Sequence, residues 1–141
     1  MAQVGLLEDN ARIAKLCATM LHYAGHQVTI YEHPRECLQA LLPARKVPES
    51  MQSLQDVLND RSLPVEVLIL DLHLPDIDGV EVLRHLQAHP RTQSLPLIFC
   101  TAAAEGEIAR ALSIAPRAGL VVKPFKLQTL ISAISAVLKP T

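Results

Sequence analysis

Residues 65–80 read VEVLILDLHLPDIDGV, an apolar run that ends at an aspartate and leads into an amphipathic segment. Residues 65–70 carry a β-branched side chain at every second position, with Glu66, Leu68 and Leu70 between them, and have the length of one buried strand. Further on, Asp78 is followed three residues later by Glu81, a pattern that resembles the capping box of a helix. The stretch therefore predicts a strand, a loop that begins at Asp71, and a helix.

The same order of strand and helix recurs on both sides of this stretch. Apolar runs predict strands at residues 4–7, 27–31, 65–70, 97–100 and 120–122. Apolar residues at helical spacing predict helices between and after them, at residues 13–24, 34–42, 78–86, 105–114 and 127–138. Because each parallel strand needs a right-handed crossover before the next, this alternation predicts an α/β protein. We expect a doubly wound, flavodoxin-like parallel sheet with strand order 2-1-3-4-5 and helices on both faces.

The interval at residues 43–64 interrupts this regular spacing. Connections from helix to strand usually take about 2–6 residues, so a longer interval needs an explanation. Residues 49–59 place Met51, Leu54 and Leu58 on one helical face, which predicts an added helix; a solvated loop is the alternative. The length of the chain suits one domain over residues 1–141, with the interval 43–64 as an insertion within it.

Composition excludes several classes of function. Thirteen basic and fourteen acidic residues leave a formal net charge of -1, and basic residues cluster no further than Arg45-Lys46. We therefore expect no direct contact with nucleic acid, which draws on clustered positive charge. The three cysteines, Cys17, Cys37 and Cys100, lie in apolar stretches without CxxC spacing, which predicts buried, reduced thiols. No apolar run approaches the ~18 residues of a membrane span, so we expect a cytoplasmic protein without membrane insertion.

Polar side chains follow four of the five predicted strands. Glu8 and Asp9 follow the first, Asp71 the third, Thr101 the fourth and Lys123 the fifth. In an open parallel sheet the carboxyl ends of the strands meet at one edge, where ligands bind. Three carboxylates there repel one another unless a cation lies among them, and Mg²⁺ prefers such oxygen ligands. An amine and a hydroxyl beside them suit phosphoryl oxygens.

Four segments of the chain resemble the motifs of bacterial response-regulator receiver domains of two-component systems. They are Leu6-Leu7-Glu8-Asp9-Asn10, Leu70-Asp71-Leu72-His73-Leu74-Pro75-Asp76-Ile77-Asp78-Gly79, Cys100-Thr101-Ala102 and Val122-Lys123-Pro124-Phe125. The resemblance covers essentially the whole chain apart from the interval 43–64.

The resemblance implies a phosphoacceptor site. Asp71 would take a phosphoryl group from a partner sensor histidine kinase or a histidine phosphotransfer protein. Glu8, Asp9 and Asp71, together with the backbone carbonyl of His73, would hold Mg²⁺. The phosphoryl state would switch contacts with an output domain or effector, which makes the protein a signalling switch rather than a turnover enzyme.

The resemblance also assigns roles to the other strand ends. Thr101 and Lys123 would bind the phosphoryl oxygens, and the Lys123–Pro124 peptide bond would be cis. We expect the Thr101 hydroxyl to face solvent before phosphorylation and to move inward afterwards. Leu120 departs from the family, which carries Tyr or Phe there. The side chain of His73 should overlook the site, either tuning hydrolysis or as a spectator.

Three further interpretations remain open at this point. Residues 76–80 match the D-x-D-G-[TV] signature of haloacid-dehalogenase-like phosphatases, but Asp76 lies well beyond the predicted strand end. Asp78 is better explained as a helix cap. The sequence is also compatible with a pseudo-receiver that binds partners without phosphorylation, and with a receiver that forms part of a larger protein.

Overall fold

The computed structural model describes residues 2–42, 63–74 and 78–138. Within these residues, five strands alternate with five helices. The strands are β1 (Gln3–Leu7), β2 (Gln27–Tyr31), β3 (Val67–Leu70), β4 (Leu97–Thr101) and β5 (Gly119–Val122). The helices are α1 (Ala11–Tyr23), α2 (Pro34–Leu41), α3 (Gly79–Ala88), α4 (Glu105–Ile114) and α5 (Leu127–Leu138). The predicted helix at 49–59 lies outside the described residues.

The strands form one parallel sheet in the order β2-β1-β3-β4-β5, which confirms the predicted fold. Leu7 at the end of β1 pairs with both Tyr31 of β2 and Leu70 of β3. At the other side of the sheet, Thr101 pairs with Val122, so β4 and β5 also end together. The carboxyl ends of all five parallel strands thus lie at one edge, where Glu8, Asp71, Thr101 and Lys123 meet.

The sheet has a separate apolar core on each face. One core contacts α2, α3 and α4 and includes the fully buried Phe99; the other contacts α1 and α5 and includes Ile134. Each fully buried apolar side chain of this size contributes about 1.5–3 kcal/mol to folding. The three cysteines are buried and free, as predicted. Among the described residues, no helix has the length and apolar character needed to cross a membrane.

Four strand boundaries differ from those predicted, and two of the differences are one-residue extensions at the starts of β1 and β5. β3 begins at Val67 rather than at residue 65, because the chain bends at Pro64 and Glu66. Glu66 instead holds the start of β1, accepting a hydrogen bond from the backbone N–H of Gln3 at 2.9 Å. β4 continues through Thr101, so this residue lies inside the strand rather than after it.

Asn10 and Gly25 set the two ends of α1, the helix that follows the Glu8–Asp9 pair. Asn10 caps α1, its Oδ1 accepting from the backbone N–H groups of Arg12 and Ile13. Gly25 ends the same helix with a φ of 94°, a left-handed conformation that favours glycine. These two ends fix α1 directly after the carboxyl end of β1.

Gly79 brings α3 into contact with the loop that follows β3. A Cβ atom at this position would lie 2.6 Å from the Cα and 2.8 Å from the carbonyl oxygen of Leu72. The backbone N–H of Gly79 also donates to the Leu72 oxygen at 3.2 Å. The first turn of α3 therefore packs backbone to backbone against the residue next to Asp71.

Candidate functional site

The carboxylate of Asp71 accepts hydrogen bonds from three directions at the end of β3. Its Oδ1 accepts from the hydroxyl of Thr101 at 2.9 Å and from the backbone N–H of His73 at 3.0 Å. Its Oδ2 accepts from Nζ of Lys123 at 2.8 Å. Asp71 is only 8% exposed, and its own N–H donates to the carbonyl of Leu7. The side chain is thus held in one orientation by its neighbours.

Lys123 joins two of the carboxylates. Its Nζ donates to Glu8 Oε1 at 2.5 Å as well as to Asp71. Burial alone would lower the pKa of Lys123, but the hydrogen bonds with Asp71 and Glu8 outweigh it and raise that pKa above its ordinary value. The ammonium therefore stays charged at neutral pH. The Lys123–Pro124 peptide bond is cis, as expected.

Glu8 and Asp9 complete an acidic cluster with Asp71. One carboxylate oxygen from each of the three lies within 4.8 Å of the others. Burial raises the pKa of Glu8, opposed by its hydrogen bonds with Lys123 and with the N–H of Asn10. Three carboxylates face one ammonium, so the cluster has an excess of negative charge. An oxygen donor set of this charge fits Mg²⁺.

The sequence predicts that the Thr101 hydroxyl faces solvent, and the structure shows that this is wrong. It is fully buried, and its hydroxyl donates to Asp71 while accepting from the N–H of Ala103 at 3.0 Å. The reason is its place as the last residue of β4, because a hydroxyl buried in a strand must find partners inside the protein. The hydroxyl of Thr101 therefore faces inward, towards Asp71.

Two further side chains flank the site. Leu120, on the edge strand β5, is 40% exposed. The backbone N–H of His73 donates to Asp71, and its side-chain Nε2 is 3.6 Å from Oε2 of Glu107 on α4. The sequence reasoning missed Glu107, since an acidic residue in the first turn of a helix is an ordinary feature that helix polarity explains.

The structure explains one of the two aspartates in the phosphatase signature, Asp78, as a helix cap. Asp78 caps α3, with its Oδ1 accepting from the N–H of Val80 at 3.0 Å, as predicted. Asp76, the nucleophile in that interpretation, lies outside the described residues. Among the residues described around Asp78, its carboxylate thus serves the backbone of α3.

Comparison with known families identifies this architecture. The family model described as the response regulator receiver domain matches residues 4–135. The chain belongs to this family. Receivers of this kind belong to the two-component systems of bacteria, and the curated relatives described below are bacterial. The predicted resemblance is therefore confirmed.

Curated relatives of this receiver are transcriptional regulators. The chain is 38% identical over 125 residues to the transcriptional regulatory protein CreB of Escherichia coli, covering 86% of this chain and 44% of that protein. It is 28% identical over 137 residues to the phosphate regulon transcriptional regulatory protein PhoB of Pseudomonas aeruginosa, covering 96% and 51%. The chain thus spans about half the length of these relatives.

Solved structures share the fold. The chemotaxis response regulator CheY4 of Vibrio cholerae matches with a TM-score of 0.73 at 24% identity, covering 98% of this chain and 99% of that one. The bacteriophytochrome response regulator AtBRR matches with a TM-score of 0.71 at 26% identity, covering 97% and 92%. The sheet order found here is accordingly that of a receiver.

Proposed function

We propose that this receiver is a phosphoacceptor switch, in which Asp71 takes a phosphoryl group from the phosphohistidine of a sensor histidine kinase or histidine phosphotransfer protein. One observation carries the proposal. The Asp71 carboxylate is nearly buried, is bound by a hydroxyl, an ammonium and a backbone N–H, and lies beside two further carboxylates. A carboxylate that served only the fold would not need an acidic pair next to it.

The chemistry follows from these contacts. An oxygen of Asp71 attacks the phosphorus, the P–N bond of phosphohistidine breaks, and its electron pair stays on the departing imidazole, which takes a proton from solvent. Lys123 and Thr101 then transfer their hydrogen bonds from the carboxylate to phosphoryl oxygens, where more negative charge lies. Mg²⁺ held by Glu8, Asp9, Asp71 and the backbone carbonyl of His73 would neutralise charge on the transferring group.

The product of this reaction stays attached to the protein, so the receiver acts as a switch and not as a turnover enzyme. The relatives are named as transcriptional regulators and are about twice as long as this chain. The proposal extends to an output domain or effector whose contacts respond to the phosphoryl state. We place this activity in the cytoplasm and retain the expectation that the receiver itself does not bind nucleic acid.

The test is labelling with acetyl phosphate as a small phosphodonor. In the presence of Mg²⁺, the intact protein should gain the mass of one phosphoryl group, stable in acid and labile in alkali. Asp71→Asn should remove this gain, and chelation of Mg²⁺ should prevent it. Asp78→Asn is the matched control, because asparagine also caps a helix and labelling should persist.

Undiminished labelling of Asp71→Asn would remove Asp71 from its role. Labelling that survives chelation would remove the metal from the proposal. No labelling at all in the unchanged protein would favour the pseudo-receiver. Steady turnover of a phosphomonoester would favour the phosphatase.

A further inference from the structure

A cavity of about 720 Å³ lies at the edge of the sheet where the strands begin, opposite the edge that holds Asp71. Two connections form its sides: residues 93–96 lead into β4, and residues 115–118 lead into β5. The lining is completed by side chains near the ends of two helices, Gln87 of α3 and Ala136 and Val137 of α5. Since a strand rises about 3.3 Å per residue, β4 separates the cavity, at Leu97, from the site, at Thr101, by roughly 13 Å.

The course of the backbone leaves this space open. The pairing of β4 with β5 begins at Ile98 and Gly119, so the two connections that precede these residues lie outside the ladder. Pro96 and Pro116 bring no backbone N–H to the connections. The two connections accordingly share no backbone hydrogen bond. The cavity is therefore a feature of the fold rather than of one side-chain rotamer.

The lining of the cavity has an apolar part and a polar part. Leu95 and Leu97 are buried, and the prolines and alanines of the lining add further apolar surface. The polar part includes Gln87, Gln93 and the exposed Arg117. Among the described residues, no acidic side chain lines the cavity, and Arg117 has no ion-pair partner. The cavity thus combines apolar surface with a positive charge.

We propose that this cavity binds a small amphipathic anion, with its apolar body against the leucines and its carboxylate or phosphate beside Arg117. The volume lies within the range of about 300–1,000 Å³ that is typical of small-molecule sites. A guanidinium binds a carboxylate or phosphate through two parallel hydrogen bonds, and the amides of Gln87 and Gln93 can donate as well. An organic cation would instead meet Arg117 without any acidic side chain in the lining.

The proposal goes beyond the phosphoacceptor function and does not rest on it. None of the residues that line the cavity belongs to the acidic cluster or contacts Asp71 through a hydrogen bond. Binding at the cavity can therefore be measured on unphosphorylated protein. Its failure would leave the proposed function untouched, and loss of labelling at Asp71 would leave this proposal untouched.

Titration of the unchanged protein with octanoate, followed by backbone amide resonances, tests the proposal. The largest shifts should occur at Leu97 and Ala118, with little change at Thr101. Hexanoate should bind roughly tenfold more weakly, because each fully buried methylene contributes about fourfold to affinity. Octylammonium carries the same chain with a positive head group and should give no saturable shifts.

Two pairs of variants locate the binding. Ala136→Phe places a ring at an exposed position of the lining and should block octanoate, whereas Ser132→Phe, one turn earlier on α5 and outside the lining, should not. Arg117→Gln should weaken binding about two- to fivefold, the range for an exposed ion pair, and Arg110→Gln on α4 should leave it unchanged. Thermal unfolding checks that each variant is folded.

A further arm identifies the source of the anion. Sedimentation of the unchanged protein with phosphatidylglycerol vesicles, lost in Ala136→Phe, would support the same chemistry with a membrane lipid as the source. Octanoate binding without sedimentation would support a free small molecule.

Several outcomes would overturn the proposal. They are the absence of saturable octanoate shifts, equal binding of octylammonium, and equal weakening by Ser132→Phe and Ala136→Phe. Unchanged octanoate affinity in Arg117→Gln would overturn the role of the positive charge. Octanoate binding by a chain that ends at Leu138, but not by the full chain, would mean that residues 139–141 fill the cavity instead.

Discussion

The site consists of two halves that share one edge of the sheet but differ in burial. The buried half comprises Glu8, Asp71, Thr101 and Lys123, which bond directly to one another. The exposed half consists of Asp9 together with the His73 side chain. Charges in the buried half have lost water and depend on their protein partners, whereas those in the exposed half keep their hydration. We therefore expect changes in the buried half to affect both stability and chemistry, and changes in the exposed half to affect chemistry alone.

The largest effect is expected for Lys123→Ala. It leaves Glu8 and Asp71 buried without their common cation, which should cost about 2–4 kcal/mol in the free energy of unfolding at neutral pH. Urea unfolding followed by circular dichroism measures it. Lys126→Ala, an exposed lysine three residues on, is the control and should change little.

The loss from Lys123→Ala should also depend on pH. Burial already raises the pKa of Glu8, and removal of the ammonium raises it further. The Glu8 carboxylate then takes up a proton more readily in the folded than in the unfolded protein, so the loss should shrink as pH falls below neutral. A cost below about 0.5 kcal/mol at neutral pH would contradict the division into halves.

Thr101→Val should give the next largest effect. It keeps the shape of the side chain but leaves the N–H of Ala103 without its acceptor and Asp71 without one of its donors. A cost of about 1–2 kcal/mol follows from the unsatisfied groups. Thr101→Ser, which retains the hydroxyl, should recover part of the loss in the same unfolding experiment. Equal costs for the two variants would mean that the hydroxyl does not stabilise the buried half.

The halves of the site were only partly predictable from the sequence. Asp71 and Lys123 could be placed together because parallel strands end at one edge and both residues follow apolar runs. The hydrogen bond from Thr101 to Asp71 could not, since it depends on the strand extending by one residue and on a hydroxyl orientation that no spacing encodes. The contact between His73 and Glu107 joins a loop to a helix that is distant in the chain, and neither residue carries a local signal for the other.

The fold, like the site, could be predicted from the sequence only in part. The alternation of strands with helices and the bounds of α4 and α5 follow from apolar periodicity, and the structure confirms them. The start of β3 does not, because Glu66 fits an alternating strand pattern yet lies at a bend beside Gln3. Periodicity records which face a residue occupies, but not where pairing with the neighbouring strand begins.

Asp9→Ala should separate chemistry from stability. Asp9 is exposed, so its removal should change the free energy of unfolding by no more than about 0.5 kcal/mol, and in the stabilising direction because one repelling carboxylate is gone. Binding of Mg²⁺, measured by calorimetry, should be strongly weakened and labelling of Asp71 slowed. Glu32→Ala, at an exposed acid that follows β2, should alter neither. A large loss of stability in Asp9→Ala would show that the exposed half also supports the fold.

Leu120→Ala should have the smallest effect on the site. Its side chain is 40% exposed on an edge strand, so labelling of Asp71 should be nearly unchanged. Val121→Ala, at the neighbouring buried position on the opposite face of β5, should cost stability as a core truncation does. Slow or incomplete labelling of Leu120→Ala would show that the edge strand contributes to the site despite its exposure.

The contact between Gly79 and the Leu72 backbone has a consequence for mutational tolerance. A library that randomises residues 78–81 should return functional clones with several residues at the exposed positions 78 and 81, but glycine alone at 79. Even alanine adds a Cβ 2.6 Å from a main-chain atom, which cannot rotate away as a side chain can. Relief would have to come from shifting α3 or the loop that carries Asp71 and His73. Residue 79 must therefore remain glycine, whereas the exposed positions beside it tolerate substitution.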